Sequence, residues 1–457
     1  VSIKEFFGTE ELKPQIKDSE ISVSDFLNTA YRDYALYVLY SRAIPSMIDG
    51  FKPSQRKLVW VASNLAKTKK IKTAALAGAT VLYAGFHHGD GSLSDAATLM
   101  AGTWRNNLPI LDGEGNFGSR VVNEASAPRY TFVKLSPQYD KYFVDSDVLE
   151  ESPDPEDKEP KFLLPLIPWV LVNGASGVAI GYATDILPRD PKLLASVCAD
   201  FISGRKTEEE ILNMDLPPYF ADFTGKVYKD PNGRWRCRGK FNREGRISVR
   251  ITELPIGIER EKYIAFLQKL LSEEKISDYS EQCSKGNFDF TVKIPGVAQK
   301  NDEAIIKLLK LDSGLGETIR VINENGSLRT FSTANELLIE FCRYRLSIYP
   351  RRLKAWISRD QDRLDLLKSK LTFVQSVLDL DFILAEFRES KSLLKSELIN
   401  RGYPSKHIDE LVEMRIWHFS DSWINDTMKE IQGLEKDIET WSTTEPSKMF
   451  EKELKSL

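Results

Sequence analysis

DGFKPSQRKLVWVASNLAKTKKIKTAALAGATVLYAGFHHGDGS, residues 49–92, decides how the first third of the chain reads. Pro53 suits the first turn of a helix, where the missing amide hydrogen costs nothing, and PSQRKLVWVASNLAK continues it. TAALAGATVLYAG, 73–85, reads as another helix. Upstream, Phe26, Tyr34 and Val38 recur at helical spacing, so a helix is predicted over 24–39 with Ser24 as its N-cap. Short helices closely joined, one of them basic, point to a helix-turn-helix or winged-helix module. Residues 1–20 are charged and aperiodic and read as a mobile arm. Residues 109–127, rich in Gly, Asn, Asp and Ser, read as loop.

Beyond this module the pattern changes twice. SPDPEDKEPK, 152–161, reads as a linker. From about residue 222 short alternating runs predict strands, with Asp230-Pro231-Asn232-Gly233 as a hairpin turn and IEREKYIAFLQKLLSEEK, 258–275, as an amphipathic helix. Further on, Ile357, Leu364, Leu371 and Leu378 repeat by seven, with Leu367 and Val374 in the complementary positions and Asp360 interrupting the seam. Ile424, Ile431 and Ile438 repeat likewise, with Leu434 and Trp441 as partners. Two heptad helices separated by a short helical stretch predict an antiparallel coiled coil with a tip.

At 457 residues, about three domains are expected. No apolar run approaches the ~18 residues of a membrane span, and the charged N-terminus does not read as a secretory signal. The absent initiator Met suggests processing or trimming. Four scattered cysteines without a CxxC pair argue against a zinc ribbon and for reduced thiols in a cytoplasmic setting. The net charge of −4 would argue against a nucleic-acid partner, but its distribution does not. Residues 42–138 hold twelve basic and six acidic side chains, so a basic region sits inside an acidic chain. That is the electrostatic footprint of a polyanion site.

Several motifs are candidates for chemistry. GEGNFG, 113–118, fits G-x-G-x-x-G by letter, but the next residues, SRVVNEASAPRY, lack a helical period, so a structural turn is expected rather than a dinucleotide site. No P-loop motif occurs. The acidic clusters Asp379/Asp381 and Asp154/Glu156/Asp157 read as solvated charge, and no metal site is expected. His87 and His88, as adjacent residues, make a poor chelating pair, although one histidine facing a phosphate is chemically sensible. Arg129-Tyr130 comes after the small-residue segment NEASAP inside the basic region. A phenol near a phosphodiester can attack phosphorus if a cation stabilises the developing charge.

Together, AYRDYALYVLYSRAIPSMIDGFKPSQRKLVW (30–60), FHHGDGSLSDA (86–96), LDGEGNFGS (111–119), APRYT (127–131) and LVNGASGVAIGYATDILP (171–188) resemble, in this order, the DNA breakage-reunion subunit of type IIA topoisomerases, the gyrase A family. The resemblance covers roughly 22–445 and implies an α+β chain in four parts. These are an N-terminal arm (1–21), a winged-helix DNA-cleavage domain (22–150), an α/β tower domain (151–340), and a long antiparallel coiled coil ending in a helical dimerisation gate (341–457). It implies Tyr130 as the nucleophile that joins a 5′ phosphate, with Arg129, His88 and Arg42 in the same pocket. Lys52, Arg56, Lys57 and His87 are implied near the DNA backbone. Val178 matches the residue wedged between base pairs, with Ile180 as its alternative. The resemblance further implies a homodimer on double-stranded DNA, with Mg²⁺ held and ATP hydrolysed by a large partner subunit, and no membrane. A chain ending after the coiled coil suggests a phage-type medium subunit, working in the host cytoplasm. The rival readings are an architectural protein that bridges DNA without cutting it, and a scaffold whose basic face docks a protein.

Overall fold

The computed structural model describes residues 22–284, 286–382 and 390–457. The predicted arm, 1–21, lies outside them. The chain forms two compact units, Val1–Arg345 with Phe450–Leu457, and Leu346–Met449. Helices and mostly antiparallel strands alternate through the first, so the α+β expectation holds at that level.

The first unit opens on a helical run that starts one residue earlier than predicted and ends four later. Ser22, not Ser24, caps it, its Oγ accepting from the Asp25 amide at 3.1 Å. Two π-helical turns, Leu27–Tyr31 and Leu39–Ala43, interrupt it. The helix Pro53–Leu65 begins at the proline as expected, and the Lys52 amide donates to Gln55 Oε1. The helices Thr73–Tyr83 and Asp90–Ala101 come next. They pack with a three-stranded sheet in the order β1-β3-β2: β1 Ile71–Lys72, β2 Leu111–Glu114, β3 Phe132–Leu135. Strand β2 lies inside the segment read as loop. Its glycine and acids carry no strand propensity, and its pairing with β3 across Leu111↔Leu135 and Glu114↔Phe132 supplies the order. Leu58, Val59, Leu76, Ala77, Leu93, Ala97, Leu111 and Val133 are buried here.

A hairpin comes after this sheet, β4 Ala175–Val178 and β5 Ala183–Ile186. The turn at 230–233 joins β6 Lys226–Lys229 to β7 Trp235–Arg238, as its Pro-Asn-Gly chemistry predicts. Strands β8 Lys240–Glu244, β9 Ser248–Glu253, β10 Asp278–Glu281 and β11 Phe290–Lys293 form a sheet in the order β10-β11-β9-β8. Val249, Ile251, Phe290 and Val292 on that sheet share one core with Tyr263, Leu267 and Leu270 of the helix Arg260–Ser272.

The helix Ala334–Leu378 is 45 residues long and contains Pro350. In the second unit Leu364, Leu367 and Ile431 form a buried cluster, with Leu371, Leu434 and Ile438 against it. These are heptad positions of that helix and of the helix Asp421–Thr443. Asp360, the break in the seam, is buried, and Trp441 Nε1 donates to its carboxylate at 3.2 Å. A separate cluster of Phe373, Phe382, Leu398, Ile408 and Leu411 closes the far part of the unit.

Candidate nucleic-acid interface and cleavage site

Arg42 sits in the second π-helical turn, five residues after Tyr37. In a regular α-helix that spacing turns two side chains well apart, whereas the wider π turn that lies between them brings Arg42 round toward the side of Tyr37. The Arg42 guanidinium lies 5.8 Å from the centre of the Tyr37 ring. Both meet His88: Tyr37 Oη is 2.5 Å from His88 Nε2, and Arg42 Nη2 is 3.3 Å from Nδ1. Partial burial lowers the His88 pKa, and the charges of Arg42 and His87 lower it further, which favours the neutral imidazole. Neutral imidazole can accept a hydrogen bond at one nitrogen and donate at the other. Arg42 and His88, two of the residues singled out from the sequence, are thus brought together. Sequence reasoning misses Tyr37, since a tyrosine in a helical run looks like packing and its histidine partner lies 51 residues away. His87 points elsewhere, to Glu156 at 3.3 Å.

Tyr130 is 67% exposed, and the Arg129 guanidinium lies 4.8 Å from its ring centre. Its backbone is tightly held. Thr73 N donates to Thr131 O at 3.0 Å, Ala74 N to Pro128 O at 3.2 Å, and the Thr73 and Thr131 hydroxyls meet at 2.8 Å in the interior. The first amides of the helix Thr73–Tyr83 therefore fix the turn that presents the tyrosine. Among the described residues no hydrogen bond links the Tyr130 hydroxyl to Arg42 or His88, and the hydroxyl faces outward.

GEGNFG leaves β2 without opening a helix, and Gly115, at φ +117°, and Gly118, at φ +80°, make it a turn. Arg120, just after it, lies between the rings of Phe223 and Phe288 at 5.2 and 5.3 Å and pairs with Glu253 at 2.6 Å.

Two residues expected near the DNA backbone are instead buried against acids. Arg56 is buried, and its Nε donates to Asp49 at 2.5 Å. Lys57 is buried too, donating to Asp157 at 2.6 Å, Glu159 at 2.9 Å and the Ala84 carbonyl at 2.7 Å. Neither offers a charge to a ligand. The segment 152–161, read as a solvated linker, instead supplies the carboxylates that hold Lys57. Lys52 is part-buried, which lowers its pKa, and it donates to Ser176 O at 2.8 Å. That bond fixes the β4–β5 hairpin. At Gly177 a Cβ would come within 2.0 Å of Ala43 O, so only glycine allows this seating. The hairpin's end carries Val178, 82% exposed, while Ile180 in the turn is half-buried.

Six of the twelve basic residues in 42–138 pair with acids: Arg56, Lys57, Lys67, Lys70, Arg120 and Lys134. Among the described residues, Arg42, Lys52, Lys69, Lys72, Arg105 and Arg129 have no acidic partner. No group of three or more His, Cys, Asp or Glu side chains there is placed to hold a metal ion. No described helix is long and apolar enough to cross a membrane.

Known proteins share this sequence and fold. Over 434 residues the chain is 33% identical to the DNA topoisomerase medium subunit of Enterobacteria phage T4, covering 93% of this chain and 96% of that one. It is 31% identical over 379 residues to a putative mitochondrial DNA topoisomerase 2 of Caenorhabditis elegans, covering 79% of this chain but 32% of that longer one. The solved DNA-binding, cleavage and re-ligation domain of Plasmodium falciparum topoisomerase II superposes with a TM-score of 0.85 at 27% identity, over 95% of this chain and 64% of that chain. The family model for the A subunits of DNA gyrase and topoisomerase IV matches residues 42–455, and the chain belongs to that family.

Proposed function

We propose that the chain is the DNA-cleaving and religating subunit of a type II DNA topoisomerase, an isomerase that changes DNA topology. The observation that carries this is Tyr130, outward-facing and arginine-flanked on a turn fixed to a helix start, within a family member. Tyr130 Oη attacks a backbone phosphorus; the new O–P bond forms as the P–O3′ bond breaks. The phenol gives up its proton and the departing 3′ oxygen takes one up. The phosphotyrosyl ester keeps the energy of the bond it replaced, so religation is simple reversal. Arg129 and Arg42 stabilise the charge that grows on the phosphoryl oxygens, and neutral His88, accepting from Arg42 and paired with Tyr37, holds that guanidinium in place.

In this reading residues 22–150 act as a winged-helix domain, 151–340 as a tower, and 341–457 as a coiled coil with a dimerisation gate. Lys52 acts through the hairpin, whose Val178 enters the base stack. Two copies cut opposite strands. Mg²⁺ and ATP hydrolysis belong, in this reading, to a large partner subunit.

The test is covalent capture. Wild-type protein, with the partner and a labelled duplex, gives a tyrosine-linked product after denaturation. Tyr130→Phe gives none while binding duplex nearly as well. An undiminished adduct from the mutant rejects Tyr130 as nucleophile, and no adduct from the wild type favours the architectural rival.

A further inference from the structure

Strand β1 runs antiparallel to β3, with Lys72 directly opposite Phe132. Side chains alternate across such a pair. Thr73, Thr131 and Val133 are buried, while Lys72, Tyr130 and Phe132 are exposed. Lys72 and Phe132 therefore share the outer face of the pair, and Tyr130, two residues before Phe132 in the turn that leads into β3, is exposed as well. The bonds from Thr73 N to Thr131 O and from Ala74 N to Pro128 O hold that turn against the chain next to Lys72, so a lysine's four-carbon stem starts close to the tyrosine. On the other side of Phe132 stands Glu114, which Lys70 neutralises at 2.7 Å. Among the described residues Lys72, like Arg129, has no ion pair, so it is a second uncompensated charge near the tyrosine.

We propose that Lys72 is a further substrate-contacting residue, its ammonium bound to the phosphodiester of the strand that Tyr130 attacks. This rests on the proposed function. Lys72 would hold a phosphate oxygen before attack and oppose the charge that accumulates as phosphorus becomes five-coordinate. A group that stabilises that state speeds the reaction in both directions, so Lys72 serves cleavage and religation alike.

The experiment measures adduct formation and its salt-induced reversal, in the complex with its partner, for wild type, Lys72→Ala, Lys72→Arg and Tyr130→Phe. Lys72→Ala is expected to slow both rates about tenfold. It should also reduce the salt slope of duplex binding by about 0.9, one phosphate contact. Lys72→Arg restores most of both, because any cation of similar reach serves. The thermal midpoint stays unchanged, since Lys72 is exposed and unpaired. Unchanged rates and slope in Lys72→Ala, with Tyr130→Phe inactive, overturn the proposal and leave the tyrosine reading standing. An adduct that survives in Tyr130→Phe overturns that reading instead. A slowed Lys72→Ala with a lowered thermal midpoint and no rescue by arginine means a structural role and rejects the contact.

Discussion

Among the cations of the first unit, exposure separates those free to meet a polyanion from those that hold the fold. Arg56 looks like a DNA contact in sequence, yet it lies against Asp49, whose carboxylate also accepts from the amides of Phe51 and Leu163. Removing one member of a buried, hydrogen-bonded pair strands the other charge, at a cost of about 3–5 kcal/mol. Arg56→Ala is therefore expected to lose that much stability by urea denaturation. Under conditions where it remains folded, its duplex affinity should match the wild type. A stable variant with weakened binding would return Arg56 to the DNA surface. For Lys57, the next residue, the partners are hidden by distance along the chain. Lys57 finds its partners 100 and 102 residues away, and no local pattern announces them. Tyr130 has a local cue, an arginine beside it and small residues before it, while the role proposed for it comes from the ordered set of motifs around it.

Among the elements, those with strong local rules are readable: a proline-started helix, a Pro-Asn-Gly hairpin turn, a period of seven. Strand β2 and the π turns are not. The first takes its order from a partner strand, and no local pattern in the sequence announces the second. The β4–β5 hairpin shows what an element adds beyond its residues. Gly177 presses on the Ala43 carbonyl and Lys52 grips the Ser176 carbonyl from the same side. Gly177→Ala forces backbone against backbone and should cost about 1–3 kcal/mol locally. The expected outcome is reduced DNA bending, read as end-to-end energy transfer on a labelled duplex, with Tyr130 chemistry slowed less than bending. Normal bending in that variant would detach the hairpin from the bend.

At the scale of the whole molecule, the second unit leaves apolar side chains in water. Ile416 is 90% exposed and Trp417 58% exposed. A second copy of the chain is the proposed cover, as the gate that holds a cut duplex together. Ile416→Asp with Trp417→Ser is expected to shift the protein toward monomer in light scattering, while each monomer still binds duplex. A double variant that remains fully dimeric would place the contact elsewhere.

Arg120, clamped between two phenylalanine rings and tied to Glu253, has a mechanical consequence. It rivets the turn after β2 to Glu253 of β9, so this surface resists being pushed apart. Under the proposed function, a duplex pressed against it would be the softer body and take the deformation, with the protein as anvil.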